Sequence, residues 1–171
     1  MDNIEHSHTP DMDPYLEKDR NLIETIAAQY NFADPNSPKR FSSGQINRVY
    51  EIDGRFILKV KGERVGGLDL FNWQGDILNQ IHELGGKVPA VLGHDNIGDQ
   101  EYLLMEKVPG KILSHDWLNL SEAQRESLTH QLAEQLKIFH SVKSDHYAVP
   151  IVTGKPYTSF RAAVADITDF S

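Results

Sequence analysis

A chain of 171 residues, 39% hydrophobic and 25% charged, is long enough to bury one ordinary core and falls in the composition range of globular proteins. Its formal charge of -8 repels a phosphate backbone on average, so no nucleic-acid partner is expected. The absence of cysteine excludes a disulfide framework and a thiolate nucleophile and fits a reducing, cytoplasmic setting; no run approaches the roughly 20 apolar residues of a membrane span.

Residues 1–12 are polar and carry Asp2, Glu5 and Asp11, which reads as a disordered leader without the basic start and apolar run of a signal peptide. His6 and His8 lack the further ligands that a metal site needs. Asp13-Pro14 supplies a cap and a first-turn proline, and Leu22, Ile23, Ile26, Ala27 and Tyr30 recur at helical spacing, so the first element is an amphipathic helix. Asp34-Pro35-Asn36-Ser37-Pro38 breaks it into a loop.

From Phe41 the period shortens. Val49 to Ile52 and Phe56 to Val60 flank Asp53-Gly54, a pair suited to the positive backbone angles of a tight turn, which predicts a β-hairpin. Leu70, Trp73, Ile77, Leu78, Ile81 and Leu84 form a second helical stripe ended by Gly85-Gly86. Two strands are expected at Val88 to Leu92 and Tyr102 to Met105, separated by a turn at Asp95 to Asp99. After Val108-Pro109-Gly110, Ser121 and Gln124 have the spacing of a capping box and open a long helix through Leu128, Leu132, Leu136 and Phe139. The tail, Asp145 to Ser171, reads as unfinished.

Two features point to chemistry. The small residues Ser42, Ser43 and Gly44 would let backbone amides approach phosphate oxygens, although a plain strand-connecting turn has the same composition. Lys59 shares a strand face with Ile57 between apolar neighbours, where an ammonium calls for a partner unless the strand is an edge and the side chain reaches water.

The stretches Phe41-Ser42-Ser43-Gly44-Gln45-Ile46-Asn47-Arg48-Val49-Tyr50, Ile57-Leu58-Lys59-Val60, Val88 to Gly93, Tyr102 to Gly110 and Leu132 to His140 resemble, in order, successive segments of the aminoglycoside phosphotransferase family. The resemblance covers residues from about 40 to 142. It implies an α+β fold with a protein-kinase-like N-terminal lobe, an antiparallel sheet with one packed helix, preceded by a helix and followed by the long helix of an incomplete second lobe. The lobe would span 13–110, and the connector and start of the second lobe 111–171. It further implies nucleotide contacts at Ser42, Ser43, Gly44 and Asn47, with Lys59 on the α- and β-phosphates. Met105 would stand at the back of the adenine pocket, and the backbone of Glu106 and Val108 would meet the base. The family's lysine-orienting glutamate falls on Gln74, an amide without charge, which implies weaker positioning of the phosphates.

The family's H-x-D-x-x-x-x-N loop and later metal-binding aspartate do not occur in the sequence. His94-Asp95-Asn96 and His115-Asp116 lack the spacing, and Asp169-Phe170-Ser171 has no catalytic loop before it. His140 reads as a helix-end residue favourable to the dipole. The resemblance therefore implies the ATP- or GTP-binding portion of a small-molecule kinase, with magnesium and a hydroxyl-bearing substrate engaged only by a complete two-lobed form, and no transfer by this chain alone. The alternative is a non-catalytic relative that uses an exposed inter-lobe face for protein interaction or self-association.

Overall fold

The computed structural model describes residues 13–34, 38–41, 46–62 and 70–143. The expected leader, the small-residue loop at Ser42, Ser43 and Gly44, and the tail lie outside the described residues.

The first helix, α1 (Pro14–Tyr30), begins where Asp13 Oδ1 accepts the Tyr15 amide at 2.9 Å and Pro14 occupies the first turn. It ends at Asn31, whose φ of 53° is a left-handed cap. Five strands follow: β1 (Lys39–Arg40), β2 (Arg48–Ile52), β3 (Phe56–Val60), then β4 (Val91–Ile97) and β5 (Gln100–Glu106), with α2 (Leu70–Glu83) between β3 and β4. They form one antiparallel sheet in the order β1-β2-β3-β5-β4. Asp53 and Gly54 turn the β2–β3 hairpin with φ of 54° and 64°, as that dipeptide dictates. A short helix, α3 (Leu113–Asp116), and a 3-10 turn at Trp117–Asn119 lead to α4 (Glu122–Ser141), opened by the reciprocal Ser121–Gln124 capping box.

The β4–β5 pair departs from the expected boundaries. Asp95 and Asn96, expected in a turn, are extended residues of β4 paired with Tyr102 and Glu101, and the turn narrows to Gly98-Asp99. β4 is an edge strand, so polar side chains there reach water without cost to the sheet, and cross-strand pairing overrides local composition. At the other end Val88, Pro89 and Ala90 lie outside the ladder; proline has no amide to give it.

Both faces of the sheet carry a helix. Tyr50, Ile52, Leu58, Val60, Tyr102 and Leu104 are buried against Leu22, Ile23, Ile26 and Ala27 of α1. The N-terminal helix, expected within 13–110 ahead of the sheet, is thus the cover of the sheet's back face. At the edge of this apolar layer Asp19, fully buried, takes two bonds from Arg48, at 2.5 and 2.9 Å, one from the Tyr50 hydroxyl at 2.6 Å and one from Gln100 Nε2 at 2.8 Å. Burial, and then the Asp19 carboxylate, push the Tyr50 phenol above its ordinary range. No helix among the described residues is long and apolar enough to cross a membrane.

Asp13 caps α1 and also joins it to β1, since its Oδ2 accepts from Arg40 Nη1 at 2.8 Å. That bond chiefly holds its carboxyl below the usual value of 3.8. A depressed carboxylate contributes stability above its unfolded pKa and loses it as pH falls through the folded one. Asp13→Ala is expected to cost about 1 kcal/mol, measured as a lower urea midpoint at neutral pH, with the gap from the parent shrinking in acid.

Candidate functional site

β3 is the third of five strands, so Lys59 stands on an interior strand and not on a sheet edge. Pairing aligns Val49, Lys59, Leu103 and His94 in one row across four strands, and Glu51, Ile57, Met105 and Val91 in the next. These rows face away from α1. α2 lies over their β4–β5 side, where Leu103 and Phe71 are fully buried. Val49, Ile57, Lys59 and Met105 remain half-buried, leaving an apolar strip that runs from Lys59 beside α2 to the end of β5.

Lys59 Nζ donates to Gln74 Oε1 at 2.8 Å and sits 5.0 Å from the centre of the Phe71 ring. Burial pushes the ammonium below the ordinary lysine value of 10.5. Because its partner is a neutral amide, no formal charge on Gln74 offsets that loss of water. The charged form is the penalised one, so stability gains as pH climbs through the interval between the depressed value and the ordinary one.

At the far end of the strip the connector is stitched to both neighbours. Glu106 N donates to Ala90 O at 2.9 Å, Lys107 N to Arg55 O at 2.7 Å, and Lys107 Nζ pairs with Glu51 Oε1 at 2.9 Å. Val108 is 62% exposed. The structure thus brings Lys59 and Gln74 into contact and sets Met105 one row away, beside Ile57, with Glu106 and Val108 following on the same strand end. Asn47 is placed elsewhere: its Oδ1 accepts the Gly62 amide at 3.4 Å, at the exit of β3. A hollow lined by Arg55, Phe56, Glu106, Lys107, Val108 and Pro109 lies at the hairpin end and does not include Lys59. Among the described residues, no group of three or more histidines and carboxylates stands together to hold a metal ion.

Two residues that fix α2 had no distinct pattern in the sequence. Glu101, buried on β5, accepts the Phe71 amide in the first turn of α2 and pairs with Lys61 Nζ at 2.9 Å. This carboxylate satisfies an orphan donor of the helix from another strand and favours its positive end. His94 on β4 meets α2 at Asn72, its Nδ1 lying 2.7 Å from Asn72 Oδ1. Gly75, a glycine inside a helical stripe, was the available sign of a close approach at this point.

The profile of a phosphotransferase enzyme family, APH, matches residues 37–163. Among solved structures, the streptomycin–ATP ternary complex of APH(2")-IIa is similar at 22% identity with a TM-score of 0.54, over 74% of this chain and 41% of that one. The gentamicin complex of APH(2")-IIa is similar at 20% identity and a TM-score of 0.52, over 79% and 42%. The chain therefore spans about two fifths of the length of the structures it matches. No curated protein matches the sequence. With the family profile matching most of its length and a fold similar to those structures, the chain belongs to the phosphotransferase enzyme family.

Proposed function

We propose that this chain is the nucleotide-binding portion of an aminoglycoside-phosphotransferase-like small-molecule kinase, with the lobe at residues 13–110 and the start of a second lobe from 111. The observation that carries the reading is Lys59, an interior-strand ammonium held by α2 through Gln74 at one end of an apolar strip whose other end is the β5 connector. A lysine of this kind supplies a positive charge and three donors to phosphate oxygens. The strip of Val49, Ile57 and Met105 is a flat apolar surface of the sort that an adenine or guanine ring covers. Gln74 orients the ammonium without neutralising it. Magnesium, the acceptor hydroxyl and its base belong to a complete two-lobed form, and this chain alone is expected to transfer no phosphoryl group.

Calorimetric titration of the chain with ATP tests this. Lys59→Met is expected to weaken binding roughly tenfold, the worth of a hydrogen bond to a charged group, while slightly raising the thermal midpoint by removing a desolvated charge. Gln74→Glu is expected to tighten binding. No measurable ATP binding by the parent chain, or equal binding by Lys59→Met, would sink the reading.

A second reading has its own observation. Leu132 and Leu136, one turn apart on α4, are 57% and 42% exposed, and Leu118 in the 3-10 turn is 85% exposed, apolar side chains suited to association with another protein or a second copy. Self-association that persists without nucleotide and without Lys59 would favour it.

A further inference from the structure

His94 and Lys59 sit in the same cross-strand row, on either side of Leu103, and both reach the same stretch of α2. His94 Nδ1 lies 2.7 Å from Asn72 Oδ1 and its Nε2 3.6 Å from Asp76 Oδ1. Between those two side chains the helix presents Gly75, where an added Cβ would fall 2.1 Å from His94 Cδ2 and 2.7 Å from Nε2. The imidazole is therefore seated directly against the helix backbone. The next residue toward the N-terminus is Gln74, which holds Lys59 at 2.8 Å.

From this geometry we propose that His94 is a positioning residue: by fixing how closely and in what rotation α2 lies on the sheet, it sets where Gln74 holds the Lys59 ammonium, and so the placement of a nucleotide triphosphate. The proposal rests on the reading of Lys59 as the phosphate-binding group. A helix docked through a glycine has little room to adjust. Any residue larger than glycine at 75, with the ring in place, must lift or turn the helix, because van der Waals contact needs well over the 2.1 Å available. A lift of that size exceeds what a 2.8 Å hydrogen bond at the neighbouring residue can absorb. With the ring removed, the same methyl group fits.

A double-mutant cycle on the full chain provides the test, using His94→Ala, Gly75→Ala and the pair together. Two quantities are read: ATP affinity by calorimetry, and the pH titration of the Lys59 side chain by NMR in the absence of nucleotide. Gly75→Ala alone is expected to weaken ATP binding about tenfold, a coupling within the range found for contacting residues, and to move the Lys59 titration toward that of an ordinary lysine. His94→Ala is expected to move both in the same direction by less. In the His94→Ala background, Gly75→Ala is expected to change neither appreciably. Should Gly75→Ala fail to fold on its own, recovery of the fold in the double variant is the same coupling, and His94→Ala supplies the Lys59 readout. Additive losses, or a Lys59 titration that stays put in the folded His94→Ala protein, would overturn the proposal. If the coupling appears in the Lys59 titration while no variant or parent binds ATP, the positioning of Lys59 stands and the nucleotide part of the proposal falls with the nucleotide reading. If the parent binds ATP through Lys59 but the cycle is additive, the positioning role alone fails.

Discussion

Replacing Asp19 with alanine is expected to cost about 3–5 kcal/mol, the usual consequence of stripping one partner from a buried ion pair. Asp19 is fully buried and Arg48 is 7% exposed. Truncation would leave the guanidinium inside the protein without its Asp19 counter-charge, and would also remove the acceptor of the Tyr50 hydroxyl and of Gln100 Nε2. Against a total stability of about 5–15 kcal/mol for an ordinary domain, that loss removes about a fifth of the folded margin or more. Urea denaturation followed by circular dichroism reads it directly. Asp19→Leu combined with Arg48→Met is expected to recover most of the loss, because apolar residues of similar volume often replace a buried pair at little cost. A loss below about 1 kcal/mol for Asp19→Ala, the range of surface pairs, would mean that the pair is solvated.

Glu101→Ala is expected to cost about 2–4 kcal/mol, since it leaves the Phe71 amide inside the protein without its acceptor and removes the ion pair of Glu101 with Lys61. Glu101→Gln keeps an acceptor for the amide and loses only the charge, so it is expected to cost about 1 kcal/mol. Hydrogen exchange gives the local signature: in Glu101→Ala the amides from Phe71 to Gly75 should lose protection ahead of those in α1. Uniform loss over the whole chain would instead indicate a global role for the carboxylate with no special hold on α2.

The elements that could be read from the sequence are those whose signals are local. The Asp13-Pro14 start, the Asp53-Gly54 hairpin and the Ser121–Gln124 capping box each declare themselves within a few residues, and each is present. The Asp95 to Asp99 segment misled because its composition is that of a turn, whereas its fate is decided by pairing with Glu101 and Tyr102. The same division holds at the site. Strand parity gave the face of Lys59, and helical spacing together with family register pointed to Gln74. The positions of Glu101 and His94 depend on which strands become neighbours: β5 and β4 approach α2 only after the sheet takes the order β1-β2-β3-β5-β4. Neither residue carries a local pattern that would distinguish it from an ordinary charged or polar strand residue.

The family match begins at residue 37, yet α1 ends at Tyr30 and supplies Leu22, Ile23, Ile26 and Ala27 to the core. The profile match and the folded lobe therefore begin at different places along the chain. A version trimmed to residues 37–163 would expose Tyr50, Ile52, Leu58, Val60, Tyr102 and Leu104 together, one continuous oily surface on the sheet. Such a trimmed protein would precipitate or need a detergent, and a failure of that protein to bind ATP would say nothing about Lys59.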